Sequence, residues 1–247
     1  MQRKGSRFLL LALLSLIVPV LISTAADRQT DVLQTSQGPL RITPIYHGSV
    51  MLEFGGKVIL IDPSRGDFTG VPQPDLLLIT HTHGDHLDRE MITKLKKPST
   101  VIVGSPAVLD TVNARETVLT VVGSGEKKTV QGIEIEGVPA YNIVRGDEVP
   151  RHHKGIGNGF ILGFGDARVY LSGDTDCVPE IKSLKNITVA FLLGINSPAV
   201  TAQCVKDFRP KIYYPYHYNR LNTQEIADAL KDTPEIEVRL RKLEGDP

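Results

Sequence analysis

Short apolar runs broken by glycine, proline and acidic turns recur along this chain, and their spacing predicts its elements. Leu40 to Tyr46, Ser49 to Phe54 and Lys57 to Ile61 are β-rich runs, and Gly55-Gly56 fits a two-residue hairpin turn. Asp75 to Thr80 is different: Leu and Ile follow one another without alternation, which predicts a strand buried on both faces. Leu87 to Lys96 predicts a helix stopped by Pro98, and Thr100–Val103, Pro106–Val112 and Val118–Val122 continue as strand, helix, strand. Hairpins return with Lys128–Val130 and Ile133–Val138, an irregular loop from Asn142 to Asn158, then Phe160–Phe164 and Arg168–Leu171. The remainder alternates again, with helices predicted at Val178–Leu184, Ala202–Phe208 and Thr223–Leu230 and strands at Thr188–Leu193, Lys211–Tyr216 and Ile236–Leu240. No linker is long enough to divide residues 40–247, so the pattern predicts one α/β domain with mixed sheets. Residues 27–39 are polar and unpatterned and read as a loose leader.

Candidate chemistry begins where the most buried strand ends. His81, His83, Asp85 and His86 fall within six residues directly after Thr80. A strand end is rigid and the loop after it can curl, so such side chains can converge on a cation. Neutral imidazoles with one carboxylate suit zinc, and also manganese or iron. A histidine-rich polar loop is the plain alternative, though it leaves the placement after an apolar run unexplained. Asp174 ends a second apolar strand, in V-Y-L-S-G-D-T-D, and His217 follows a third, in Y-Y-P-Y-H-Y-N. Read alone, these are also a turn aspartate and a histidine packed among tyrosines; three strand ends bearing ligand-type residues agree with one another.

The HTHGDH stretch resembles the His-x-His-x-Asp-His signature of the metallo-β-lactamase superfamily of hydrolases. That resemblance implies a four-layer αββα sandwich with two metals between the sheets at one edge. It implies that His81 and His83 serve one metal, that Asp85, His86 and His217 serve the other, and that Asp174 bridges them. The superfamily's further histidine on the first metal is missing from Val138-Pro139-Ala140-Tyr141-Asn142. The segment V-P-A-Y-N, with H-x-K-G-x-G-N-G-F and S-G-D-T after it, is similar to a bacterial subgroup in which a histidine matches His152. His153 competes for that role, and simple exposure is the alternative for both. Asp62, after V-I-L-I, is placed to accept an imidazole N–H, unless it only ends a hairpin. His47 faces the same cleft by resemblance or lies on the surface, and Asn196, Tyr216 and Tyr218 flank it as second-shell or substrate-contacting residues.

The implied activity is hydrolysis by a hydroxide generated on zinc, two ions per chain, with Asp85 or Asp174 orienting the nucleophile. Nothing selects an ester, lactone, amide or phosphodiester. The general pattern is similar to that of ascorbate-6-phosphate lactonases and N-acylphosphatidylethanolamine phospholipases D. A binding module with a degraded site is the rival reading, and the absent histidine at Tyr141-Asn142 is the feature that favours it.

Composition bounds these readings. In 247 residues, Lys plus Arg and Asp plus Glu are equal at 28 each, so nothing suggests a nucleic-acid partner, and a small-molecule or lipid-like substrate is expected. No Gly-x-Ser-x-Gly elbow, P-loop or dinucleotide fingerprint occurs. Arg3, Lys4 and Arg7 precede an apolar run from Phe8 to Ile22 and the small residues Ser23-Thr24-Ala25-Ala26, which reads as a secretory signal over residues 1–26. Export to the periplasm or medium is expected, or an N-terminal anchor if the segment stays uncleaved. An oxidising compartment permits a disulfide between Cys177 and Cys204, although for Cys204, in a predicted helix, a buried small apolar role is the commoner fate.

Overall fold

The computed structural model describes residues 28–112, 118–218 and 220–243. The predicted secretory signal lies outside the described residues. Two seven-stranded sheets face each other. The first runs β1 (Asp31–Thr35), β2 (Gly38–Tyr46), β3 (Ser49–Phe54), β4 (Lys57–Ile61), β5 (Leu76–Ile79), β6 (Val101–Gly104), β7 (Val118–Val121), in sequence order across the sheet. The second runs β8 (Lys127–Val130), β9 (Ile133–Ala140), β10 (Gly157–Phe164), β11 (Ala167–Leu171), β12 (Val189–Leu193), β13 (Ile212–Tyr216), β14 (Glu237–Val238), again in order. Each sheet is antiparallel over its first four strands and parallel over the rest.

The parallel strands need crossovers, and helices supply most of them: α1 (Arg89–Leu95) and α2 (Pro106–Val112) in the first half, α3 (Pro179–Lys182), α4 (Pro198–Phe208) and α5 (Thr223–Asp228) in the second. Helices thus cover both outer faces, giving the αββα sandwich. Ile92, Leu95, Val108 and Leu109 of α1 and α2 pack on Leu60, Leu77 and Ile102, while Leu76, Leu78 and Val103 face the second sheet's Leu162, Val169 and Phe191 in the main core. Strands covered on both faces need apolar side chains throughout, which is why β5 and β12 are fully buried and show no alternation.

Strand direction positions the site. Because β2, β4 and β5 run parallel to one another, as do β9, β11 and β13, their C-terminal ends all open on the same edge of the sandwich. Ligands in α/β folds collect outside such strand ends.

Several boundaries differ from the sequence reading. The leader expected over 27–39 gives way to β1 and the start of β2: D-V-L-Q-T pairs antiparallel with β2 as an edge strand, and Asp31 accepts hydrogen bonds from Arg241 and the Tyr214 hydroxyl. Helix α4 begins four residues earlier than predicted, because the Ser197 hydroxyl accepts the Val200 N–H and Pro198 suits the first turn. Cys204 is buried, but its small-hydrophobe role is corrected: it forms a disulfide with Cys177, Cα atoms 5.7 Å apart. No helix among the described residues is long and apolar enough to cross a membrane.

Candidate metal centre

Two groups of donor atoms meet at the strand-end edge, sharing one carboxylate. In the first, His81 Nε2 and His152 Nε2 each lie 3.1 Å from His83 Nδ1. Asp174 Oδ2 closes the group, 3.3 Å from His152 Nε2 and 3.8 Å from His81 Nε2. In the second, Asp174 Oδ1 lies 3.2 Å from His86 Nε2 and 3.3 Å from His217 Nε2, and His217 Nε2 stands 3.6 Å from Asp85 Oδ2. Donors about 2.0 to 2.1 Å from a tetrahedral zinc would be about 3.3 to 3.4 Å from one another. The observed spacings fall around that value.

The hydrogen-bond network fixes which ring nitrogens face inward. The Thr80 N–H donates to Asp62 Oδ1 at 2.7 Å, and the Thr80 hydroxyl donates to Asp62 Oδ2 at 2.6 Å. With its proton committed there, the Thr80 oxygen accepts from His81 Nδ1 at 3.1 Å, while His86 Nδ1 donates to Asp62 Oδ2 at 2.8 Å. Both rings therefore turn Nε2 to the centre, the atom a cation would take. His152 is held the same way: Asn142 Oδ1 accepts from its Nδ1 at 2.9 Å and from its backbone N–H at 3.0 Å. Asn142 itself occupies the segment that lacks the expected histidine. It anchors the loop histidine that takes that histidine's corner of the group.

The donor set fits a divalent cation in a second respect. His86 Nε2, Asp174 Oδ1 and both His217 ring nitrogens are buried without a hydrogen-bond partner among the described residues. Four such atoms clustered on one side of a carboxylate are costly unless a cation satisfies most of them. Electrostatics agree. Burial, with neighbouring His86, holds His81 neutral by lowering its pKa to about 2. Burial disfavours the charged forms of His86 and Asp174, but the Asp62 and Asp174 carboxylates raise His86 to about 10, and the neighbouring His152 and His86 imidazoles hold Asp174 well below the carboxylate range. Asp85 is lowered too, chiefly by the neighbouring His217 imidazole.

The remaining predicted residues divide. His47 joins the second group, its Nε2 3.9 Å from Asp85 Oδ2 and its ring centroid 3.8 Å from that of His217. His153 is exposed and lines the cavity beside the first group without joining its donors. Tyr216 is corrected as a substrate contact: it is buried behind the site, where its hydroxyl accepts the Gly173 N–H at 2.9 Å and steadies the turn that presents Asp174. Gly173 there has φ +59°, and a Cβ on it would stand 2.9 Å from Thr80 Cβ, so the turn requires glycine. Asn196 is exposed just before the Ser197 cap of α4, outside the donor groups. Tyr218 is half-buried against the main core beside Gly194. Sequence reasoning missed Thr80 and Asn142. The available signal was position alone, a hydroxyl abutting the motif and a short amide where a histidine was expected.

Comparisons place this geometry. The profile described as "Beta-lactamase superfamily domain" matches residues 41–217. The chain is 30% identical over 202 residues to a UPF0173 metal-dependent hydrolase of Methanopyrus kandleri, covering 72% of this chain and 84% of that one. It is 28% identical over 200 residues to a counterpart in Desulforamulus reducens, covering 73% and 85%. A crystal structure from Parabacteroides distasonis, assigned as a metal-dependent hydrolase, superposes with TM-score 0.80 at 39% identity, covering 88% of this chain and 100% of that chain. A metallo hydrolase from Ignicoccus hospitalis shares the fold, with TM-score 0.68 at 21% identity over 81% of this chain and 94% of that one. The chain belongs to the beta-lactamase superfamily and is one of its metal-dependent hydrolases, with a cluster of histidine and aspartate side chains for the metal.

Proposed function

We propose that this hydrolase holds two divalent cations, zinc in first place, and cleaves an ester, lactone or phosphodiester. One observation carries the reading: the two oxygens of Asp174 face different donor groups, Oδ2 toward His81 and His152 and Oδ1 toward His86 and His217. A single cation would leave one set of buried nitrogens unused. Cations bound there would lower the pKa of a coordinated water from 15.7 towards about 7 and polarise the scissile group.

The chain's own groups do the rest. Asp85, kept ionised beside the His217 imidazole, offers a carboxylate oxygen that orients the attacking water. Asp62, through Thr80 and His86, holds two imidazoles in the binding tautomer. The loop from Asn142 to Ile156 closes one side of the centre, tied by Arg145 to Asp176 at 3.1 Å and by Lys154 to Glu180 at 2.6 Å. His152 also answers the absence that favoured a degraded binding module.

We place the mature protein outside the cytoplasm, as a soluble enzyme after cleavage near Ala26 or as an anchored one without it. The signal-like segment and the Cys177–Cys204 disulfide support the same compartment by independent routes.

The test joins stoichiometry to turnover. Native mass spectrometry of chelator-free protein is expected to show two metals per chain. Hydrolysis of 4-nitrophenyl acetate or bis(4-nitrophenyl) phosphate should vanish with a chelator and return with zinc. One metal at saturation removes the binuclear mechanism; two metals with no turnover on either probe removes the substrate class.

A further inference from the structure

The cavity at the first donor group holds about 60 Å³ and is lined by His81, His83, His152, Ala140, Arg151 and Ile156 among others. It opens to solvent beside the donors, so a substrate that reaches them passes its rim. Arg151 stands there. Of the three cations on the Asn142–Ile156 loop, Arg145 is spent on Asp176 and Lys154 on Glu180. Arg151 makes no ion pair or hydrogen bond among the described residues, yet its side chain lines the cavity with the metal-facing histidines.

Arg65, in the loop after β4, reaches the metal-binding turn itself. A Cβ on Gly84, between His83 and Asp85, would stand 3.8 Å from its Nη2. Arg65 too lacks an ion pair among the described residues, and its backbone is left-handed at φ +48°, an unfavourable setting for a long side chain that strained functional loops tolerate. His47, Asp62 and His217 share that backbone region around the same centre, with φ between +44° and +45°.

The geometry points to an anionic substrate: Arg151 receives a carboxylate or phosphate oxyanion carried next to the bond that is cleaved, and Arg65 adds positive charge beside the metal-binding turn. Guanidinium matches both anions in a two-pronged arrangement and gains strength where the partner is partly desolvated. The inference rests on the hydrolase reading above and names the substrate class for that site. These are specificity-determining residues; neither is assigned a role in bond cleavage.

Paired probes test it: 4-nitrophenyl hydrogen glutarate, which carries a carboxylate, against neutral 4-nitrophenyl valerate of similar length. The ratio of their kcat/KM values should favour the anionic ester in the wild type and fall about tenfold or more in Arg151→Gln and further in the Arg65→Gln/Arg151→Gln double variant. Arg209→Gln, which removes a charge from the end of α4, should leave the ratio at its wild-type value. A second readout needs no turnover: thermal shifts of the metal-loaded protein with succinate or inorganic phosphate should shrink in the double variant, and the larger shift identifies the preferred anion. If neither ester is hydrolysed while the anion shifts depend on the arginines, the hydrolytic probe class is wrong and the anion site stands. If both the ratio and the shifts match the wild type within twofold, the anion site is overturned.

Discussion

Asp62→Asn tests the support of the metal centre with one atom changed. Asp62 is fully buried with φ +44°, and asparagine tolerates that left-handed conformation at least as well, so the backbone adds no strain of its own. The loss lies in the acceptors. Asp62 Oδ1 takes the Thr80 N–H, and Oδ2 takes both the Thr80 hydroxyl and His86 Nδ1–H. An amide has one acceptor oxygen, so its NH₂ must face one of these sets. Facing the Thr80 N–H, it leaves a buried donor unsatisfied, at about 1 to 3 kcal/mol. Facing His86, it donates to Nδ1 and drives the ring proton onto Nε2, the atom the cation needs. Loss of such support costs about 10- to 100-fold in metal affinity. The chelated protein should melt about 2 to 12 °C lower, and a zinc titration against a competing chelator should show weakened binding at one site of two. Wild-type affinity at both sites with an unchanged melt would refute the orienting role of Asp62.

Asp85→Asn should abolish hydrolysis with little change in stability, whereas Leu77→Ala, deep in β5, should cost about 2 to 5 kcal/mol through a cavity and leave the centre's donors in place; a rate and a melt on each variant separate the two. Opening the Cys177–Cys204 bridge, which spans a sequence separation of 27, should cost about 3 to 4 kcal/mol by loop closure, read as a drop in denaturation midpoint with a reductant. In the metal-free protein His86 is raised to about 10, so at pH 7 it carries a proton that a cation must displace; apparent zinc affinity at that site should climb about tenfold per pH unit from pH 7 towards 10, measured in buffers of fixed free zinc. The same raised pKa stabilises the chelated protein most below the unfolded value near 6.5, and that contribution should fade as pH rises through about 10. Mass analysis of the extracytoplasmic fraction should find a new terminus near Asp27; an intact Met1 in the membrane would establish an anchor instead.

What could be read from residues alone followed local physics. The run D-L-L-L-I-T admits few environments other than a doubly covered strand, and four ligand-type side chains immediately after it have few uses beyond a cation. Long-range choices were not legible. D-V-L-Q-T looks like a leader because an edge strand may carry polar residues, and only its pairing with β2 and the grip of Arg241 on Asp31 make it part of the sheet. Whether His152 or His153 turns inward depends on Asn142, ten residues earlier, whose amide oxygen selects one of the two neighbours. The proximity of Cys177 to Cys204 is set by how α4 packs after β12, a matter of tertiary arrangement that no local pattern encodes.

The origin of the donors has a consequence for when the protein can acquire its metals. His81, His83, Asp85 and His86 come from the first sheet's loops, while His152, Asp174 and His217 come from the second sheet's, so each donor group straddles the seam between the halves. No fragment ending before His217 can assemble both groups, and a chain threaded unfolded through a membrane would arrive with neither formed. The cation installed is then whichever is on offer where the two sheets first close, and the metal supply of that compartment, more than the affinity order of the side chains, decides which element the enzyme carries.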